Sequence, residues 1–229
     1  MRIHRSVPSF AGLLGAALLW GVGPGATVAA SQTGGACQLQ GVASISPPLA
    51  SAPGGFAYSF TGALSGCESN VAGAPTAGSV SAGVQLPETV TLTNVSTGGT
   101  TTGTVLYQEP VPQGSGSCGS STTAGEALAI WDDGTATVIG YTTTGALAAV
   151  QLQGTVVASM TLSLVPSSVP AGYSAPPTYT IATNGPAFTT GEQSLALLTF
   201  SPTTTDQNCV TVGVSSANID GVVGIGSAS

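Results

Sequence analysis

Apolar residues alternate with small or polar ones along most of the chain, and no long window carries the 3.6-residue period of an amphipathic helix. The alternation predicts strands. In the run 56–64, Phe56, Tyr58, Phe60 and Leu64 fall on one face, and the run 37–45 is its partner across a loop over 47–55. The runs 89–95 and 101–108 form a second pair around Thr97-Gly98-Gly99. The clearest hairpin joins 126–131 to 135–141 through Asp132-Asp133-Gly134, because Asp-Gly supplies the positive φ of a tight turn. Thr144-Gly145 then turns the chain into 146–157. Four prolines between 166 and 177 mark a long surface loop. The runs 179–183, 194–201, 210–214 and 219–225, with an Asn184-Gly185 turn, complete the pattern. About ten to twelve short antiparallel strands with Gly and Pro turns predict an all-β domain, a β-sandwich or, alternatively, a closed β-barrel.

The first thirty residues do not fit this pattern. Arg2, His4 and Arg5 precede an apolar run over 10–22, and Val28-Ala29-Ala30 places small residues where signal peptidase cuts. The expected division is a signal peptide over 1–30 and a single all-β domain over 31–229. The alternative is an N-terminal anchor, but the apolar run is shorter than the roughly 20 residues of a spanning helix.

Charge then narrows the function classes sharply. Beyond position 5 the chain has no lysine, arginine or histidine, while it has nine carboxylates, so the mature net charge is −9. Phosphate backbones and anionic lipid surfaces are held by Lys and Arg, so nucleic acid and anionic membranes are excluded as electrostatic partners. Without His or Lys, Ser–His triads and Ser–Lys dyads cannot be assembled, and no base stands ready to activate a thiol. Only carboxylate chemistry remains open to catalysis, with Glu126, Asp132 and Asp133 as candidates. Asp133 is already explained by its turn, and the expectation is a protein that is not an enzyme.

Four cysteines in an exported chain read as two disulfides. Folding the first two runs as a hairpin brings Cys37 opposite Cys67, which leaves Cys118 for Cys209. Calcium needs only oxygen ligands, and Asp132, Asp133 and Asp206 are the weak candidates; an Asp-rich turn that bonds its own backbone accounts for them equally. Otherwise no cofactor is expected. Trp131, Tyr107 and Tyr141 are a candidate ligand platform, against the ordinary reading of aromatic packing. Thr89, Thr91 and Thr93 share one strand face in a row that resembles ice-binding arrays, or simply form a solvated face. Asn94-Val95-Ser96 is a glycosylation sequon.

The segments CQLQGVASI (37–45), YSFTGALSGC (58–67), AIWDDGTATVIGY (129–141) and GVVGIGS (221–227) resemble secreted, lysine-poor, β-rich proteins of actinobacteria. The resemblance implies export and a β fold and carries no activity with it. The composition is also similar to the enediyne-binding apoproteins of the neocarzinostatin type, small acidic sandwiches with two disulfides, although their closely spaced cysteine pairs are missing here. Three functions follow as expectations. The first is a secreted or cell-envelope-associated, non-catalytic protein with a structural or interaction role, as a wall component or by self-assembly. The second is a module for a small apolar ligand or a glycan, and the last a carboxylate-based hydrolase.

Overall fold

Strand β1 (Gly34–Leu49) buries Cys37, Leu39, Ala43 and Ile45 and exposes Gln38, Gln40 and Ser44 between them, so its side chains alternate between an interior and solvent. The same two-residue period organises the rest of the computed structural model, which describes residues 34–146 and 148–226. The signal-peptide expectation over 1–30 lies outside the described residues. Strand β2 (Gly54–Ser69) is followed by β3 (Gly78–Ala82), β4 (Gln85–Asn94), β5 (Thr100–Gln108), β6 (Gln113–Ser117) and β7 (Ser120–Trp131). Next come β8 (Ala136–Ala146), β9 (Ala149–Val157), β10 (Ser159–Leu164), β11 (Tyr173–Ser174), β12 (Thr178–Ala182), β13 (Gln193–Pro202) and β14 (Val214–Gly226). The chain is all-β and antiparallel, with fourteen strands among the described residues rather than ten to twelve.

The main sheet runs β1-β14-β13-β9-β8-β7-β3-β2, and β2 pairs back onto β1. Eight strands therefore close a barrel, the alternative weighed beside the sandwich. Register sets its girth. From Ala36 the ladder passes through Gly224, Leu195, Gln153, Thr142, Ala124, Gln113 and Ala57, and returns to β1 at Ser46, a stagger of 46 − 36 = 10 residues. Between β2 and β7 two short strands share one place in the wall. β3 lies beside Phe60 to Leu64, and β6 lies beside Gly54 to Ala57. In the gap between them Pro112 is fully buried, and its carbonyl accepts the Tyr58 N–H at 3.2 Å.

The remaining strands form a second sheet, β11-β4-β5-β10-β12, packed on the outside of the barrel. Val90, Leu92, Val105, Tyr107, Met160 and Leu162 meet Leu128, Ala136 and Val138 of the wall. This covering explains why Ala136, Thr137, Val138 and Ile139 are buried in succession, since β8 faces the lumen on one side and the second sheet on the other. Both expected disulfides are formed. Cys37–Cys67 ties β1 to β2, and Cys118–Cys209 spans 91 residues to fasten the loops at one barrel end, where Cys118 N–H donates to the Ala50 carbonyl and Ser51 N–H to that of Cys209. By loop entropy the longer bridge stabilises by roughly 4 kcal/mol.

Two expectations need correction. Thr144-Gly145 is not a turn: Gly145 pairs with Ser121 and Val150 inside the ladder, and β8 continues to Ala146. A Cβ there would stand 2.7 Å from Ser121 Oγ, so the glycine leaves room for that hydroxyl. The run 210–214 is not a strand either. Asn208 Oδ1 accepts the N–H groups of Val210 and Thr211, and this turn leaves Val210 and Val212 exposed until β14 begins at Val214.

Close approach also fixes Gly41 on β1, where a Cβ would lie 2.5 Å from the Thr61 carbonyl oxygen and 2.5 Å from Phe60 Cζ. Gly41→Val is expected to lower unfolding free energy by about 1–3 kcal/mol in a denaturant titration, whereas Gly54→Ala, with open space around it, stays within about 0.5 kcal/mol of wild type.

Candidate functional site

The lumen is built by alternation. Leu39, Ile45, Phe56, Leu64, Ala129, Ile139, Leu198 and Ile225 point inward from six strands, and Val80 on β3 and Leu152 on β9 complete the ring. One barrel end is stoppered by the segment between β12 and β13. Phe188, 3 % exposed, lies against the Trp131 ring with centroids 5.1 Å apart, and Trp131 Nε1 donates to Thr137 Oγ1 at 2.9 Å. Towards the other end Ile45, Leu49 and Phe56 cluster against Cys118 and Phe200.

These side chains do not fill the barrel. A cavity of about 170 Å³ remains, lined from all eight barrel strands and by Phe188, with no charged group in its wall. The reason is visible in the ladder layer Gly35, Ile225, Ser194, Gly154, Tyr141, Gly125: three of its six positions carry no side chain. Gly154 cannot be larger, because a Cβ would meet Ile139 Cγ2 at 2.9 Å and the Gly140 carbonyl oxygen at 2.9 Å. Gly125 is held by Pro112, whose Cβ would be 2.6 Å from an added Cβ.

Polarity in the lumen is confined to hydroxyls. Tyr141 and Tyr58 bond each other at 2.5 Å, Tyr58 reaches Thr123 at 3.2 Å, and Thr123 reaches Thr143 at 2.7 Å. Four hydroxyl hydrogens serve these three bonds, so one hydrogen is not used within the network. Burial pushes both phenols above their ordinary value, with Tyr58 adding to the effect on Tyr141, so each stays protonated. Ser194 is separate from this network. It is wholly buried, lines the cavity, and its Oγ has no hydrogen-bond partner among the described residues.

The fold brings together only part of the sequence-predicted set. Trp131 and Tyr141 line the same cavity, but Tyr107 lies in the second core, donating to the Pro176 carbonyl at 2.8 Å and packing on Tyr179. Among the acids, Glu126 stands on β7 opposite Gly140, while Asp132 and Asp133 sit in the turn beyond Trp131. Asp132 Oδ2 accepts from Thr76 Oγ1, and Asp133 Oδ1 accepts from both Thr135 N–H and Thr135 Oγ1. The Thr135 bonds hold the Asp133 carboxyl below its ordinary value, and a bond from Thr204 does the same for Asp206 in the β13–β14 loop. Among the described residues no three acidic, cysteine or histidine side chains converge as a metal cage. Thr89, Thr91 and Thr93 face Thr104, Thr102 and Thr100 across the β4–β5 ladder, with Thr89 and Thr104 hydroxyls 3.2 Å apart. In the sequon, Asn94 Oδ1 accepts the N–H groups of Ser96 and Thr97.

Sequence reasoning missed Ser194 and Glu109. Glu109 follows β5, is 1 % exposed, and accepts from Ser81 Oγ at 2.6 Å and Val84 N–H at 3.0 Å. The signal available was a lone acid followed by Pro110-Val111-Pro112, a segment unsuited to a free strand. No protein-family model, curated protein or solved structure matches this chain.

Burial pushes the Glu109 carboxyl above its ordinary 4.5, and the bonds from Ser81 and Val84 only partly oppose this. A folded-state value above the unfolded one means the protonated form favours the fold. The contribution is complete below pH 4.5 and is lost as pH rises through the folded value. Thermal unfolding is therefore expected at higher temperature at pH 5 than at pH 8. Glu109→Gln mimics the protonated carboxyl, donating to Ser81 Oγ and accepting from Val84, and should remove most of that difference in calorimetry.

Proposed function

We propose that the protein is a non-catalytic binding module for a small apolar ligand held in the barrel lumen. The observation that carries this reading is the apolar cavity of about 170 Å³ inside a closed eight-stranded wall. Barrels of this strand number either fill themselves with side chains or hold one small ligand. The volume decides the size of the guest. It is well below the 300–1,000 Å³ typical of drug-sized sites and close to the ~150 Å³ of an engineered cavity that stays dry and binds benzene. A guest of single-ring size fits, and a glycan does not. The disulfides support residence in an oxidising compartment, and no helix among the described residues is long and apolar enough to cross a membrane. Together with the basic, apolar, small-residue order of 1–30, this supports export to the cell exterior or envelope.

An interaction role is favoured by a different observation. Leu195, Leu197 and Val222 are 58 %, 71 % and 45 % exposed on the outer wall of β13 and β14. Leu197 pairs with Val222 there, leaving apolar side chains side by side in water.

Native mass spectrometry of the exported protein, or calorimetric titration with toluene, tests the lumen reading. Binding of one toluene per chain is expected, and Val223→Phe, which adds a ring to the lumen wall, should abolish it while leaving the circular dichroism spectrum of the fold unchanged. Absence of binding by the folded wild type contradicts the reading.

A further inference from the structure

Among the described residues, the cavity wall contains one fully buried side-chain polar atom that the fold leaves without a partner. Ser194 occupies an inward position of β13, in alternation with Ala196 and Leu198, while Gln193, Leu195 and Leu197 face out. It is 0 % exposed, and its Oγ meets no donor or acceptor among the described residues. Its two ladder neighbours are Gly154, with no side chain, and Ile225, with no polar side-chain atom, so neither offers the hydroxyl a side-chain partner. An orphaned buried hydroxyl destabilises a fold, and native interiors keep few of them without a reason such as a bound water or ligand.

Charge defines what that ligand is. The lumen wall holds no ionisable side chain other than phenols kept neutral by burial, and residues 31–229 contain no lysine, arginine or histidine to neutralise an anion. A carboxylate or phosphate entering an apolar space without a counter-charge bears its full desolvation penalty. A cation would be attracted by the acidic surface but would find no carboxylate inside. Serine, in contrast, both donates and accepts, which suits a neutral hydroxyl or carbonyl.

Resting on the reading of the lumen as a binding site, we infer that its ligand is a neutral molecule of about single-ring size whose one hydroxyl or carbonyl bonds Ser194 Oγ. Phe188 and Trp131 supply the aromatic end of the chamber, and the hydroxyls of Tyr58 and Tyr141 already bond each other. Selectivity then rests on Ser194: an apolar guest is admitted by size, and a guest with one matched polar group is preferred because it ends the isolation of that hydroxyl.

Calorimetric titration of the full chain with toluene and with p-cresol, for wild type and Ser194→Ala, tests this directly. In Ser194→Ala the p-cresol affinity should fall by roughly three- to tenfold while toluene affinity does not fall. Ser194→Ala should also unfold at a higher temperature than wild type when no ligand is present, since it removes an unpartnered polar group. Toluene binding with equal effects of the substitution on both probes overturns the assignment to Ser194 and leaves the lumen reading standing. Binding of neither probe to wild type overturns both. A lower unfolding temperature for ligand-free Ser194→Ala shows that the hydroxyl already has a partner in the fold, and likewise overturns the inference.

Discussion

The structure depends on the closure of one sheet. Strand β1 is paired along most of its length on both sides, to β2 and to β14, so the barrel has no open edge there. A charge-poor, Thr-rich chain gains more from this than most. Edge strands are commonly protected by inward-facing charges and lysines, and residues 31–229 have no lysine at all. Closure satisfies the backbone ladder without them. It also fixes the lumen: eight strands with a stagger of ten residues set a girth that the inward side chains, thinned by Gly35, Gly125 and Gly154, do not fill.

The same scarcity of charge shapes the interior. With no lysine, arginine or histidine among the described residues, the buried polar groups rely on hydroxyls and backbone amides. Glu109 draws on Ser81 and Val84, Tyr58 and Tyr141 on each other and on Thr123, and Trp131 on Thr137. Each of these is answered within the protein, which sets Ser194 apart. The lumen is thus neutral and apolar, with one fully buried hydroxyl that has no partner among the described residues, and such a chamber discriminates by size first and by polar contact second.

Much of the local structure was legible in the residues. Phe56, Tyr58, Phe60 and Leu64 do share a face, the hairpin over Asp132-Asp133-Gly134 forms, and the pairing of β1 with β2 brings Cys37 to Cys67. Closure was less legible, because it rests on β1 meeting β14 at the far end of the chain, and local periodicity carries no information on such a contact. β3 (GSVSA) and β6 (QGSGS) are short and rich in Gly and Ser, so no alternation announces them; they complete the wall because neighbouring strands offer ladders on both sides. Ser194 was hidden for a different reason. On β13 both faces carry apolar residues, Ala196 and Leu198 inward, Leu195 and Leu197 outward, so the pattern did not say which set the barrel would enclose. Of the aromatic platform, Trp131 and Tyr141 meet at the lumen because β7 and β8 are adjacent, while Tyr107 belongs to the second sheet, a separation that only the packing of two layers decides.

The central claim is that closure leaves an unfilled apolar space at the heart of the barrel. A crystal structure determined under xenon pressure measures this without reference to any biological ligand, since xenon enters dry apolar voids and scatters strongly. The account predicts a xenon atom inside the lumen, bordered by Trp131, Ile139, Leu152 and Phe188. A lumen closed by repacked side chains, or one holding an ordered chain of waters and no xenon, would contradict it.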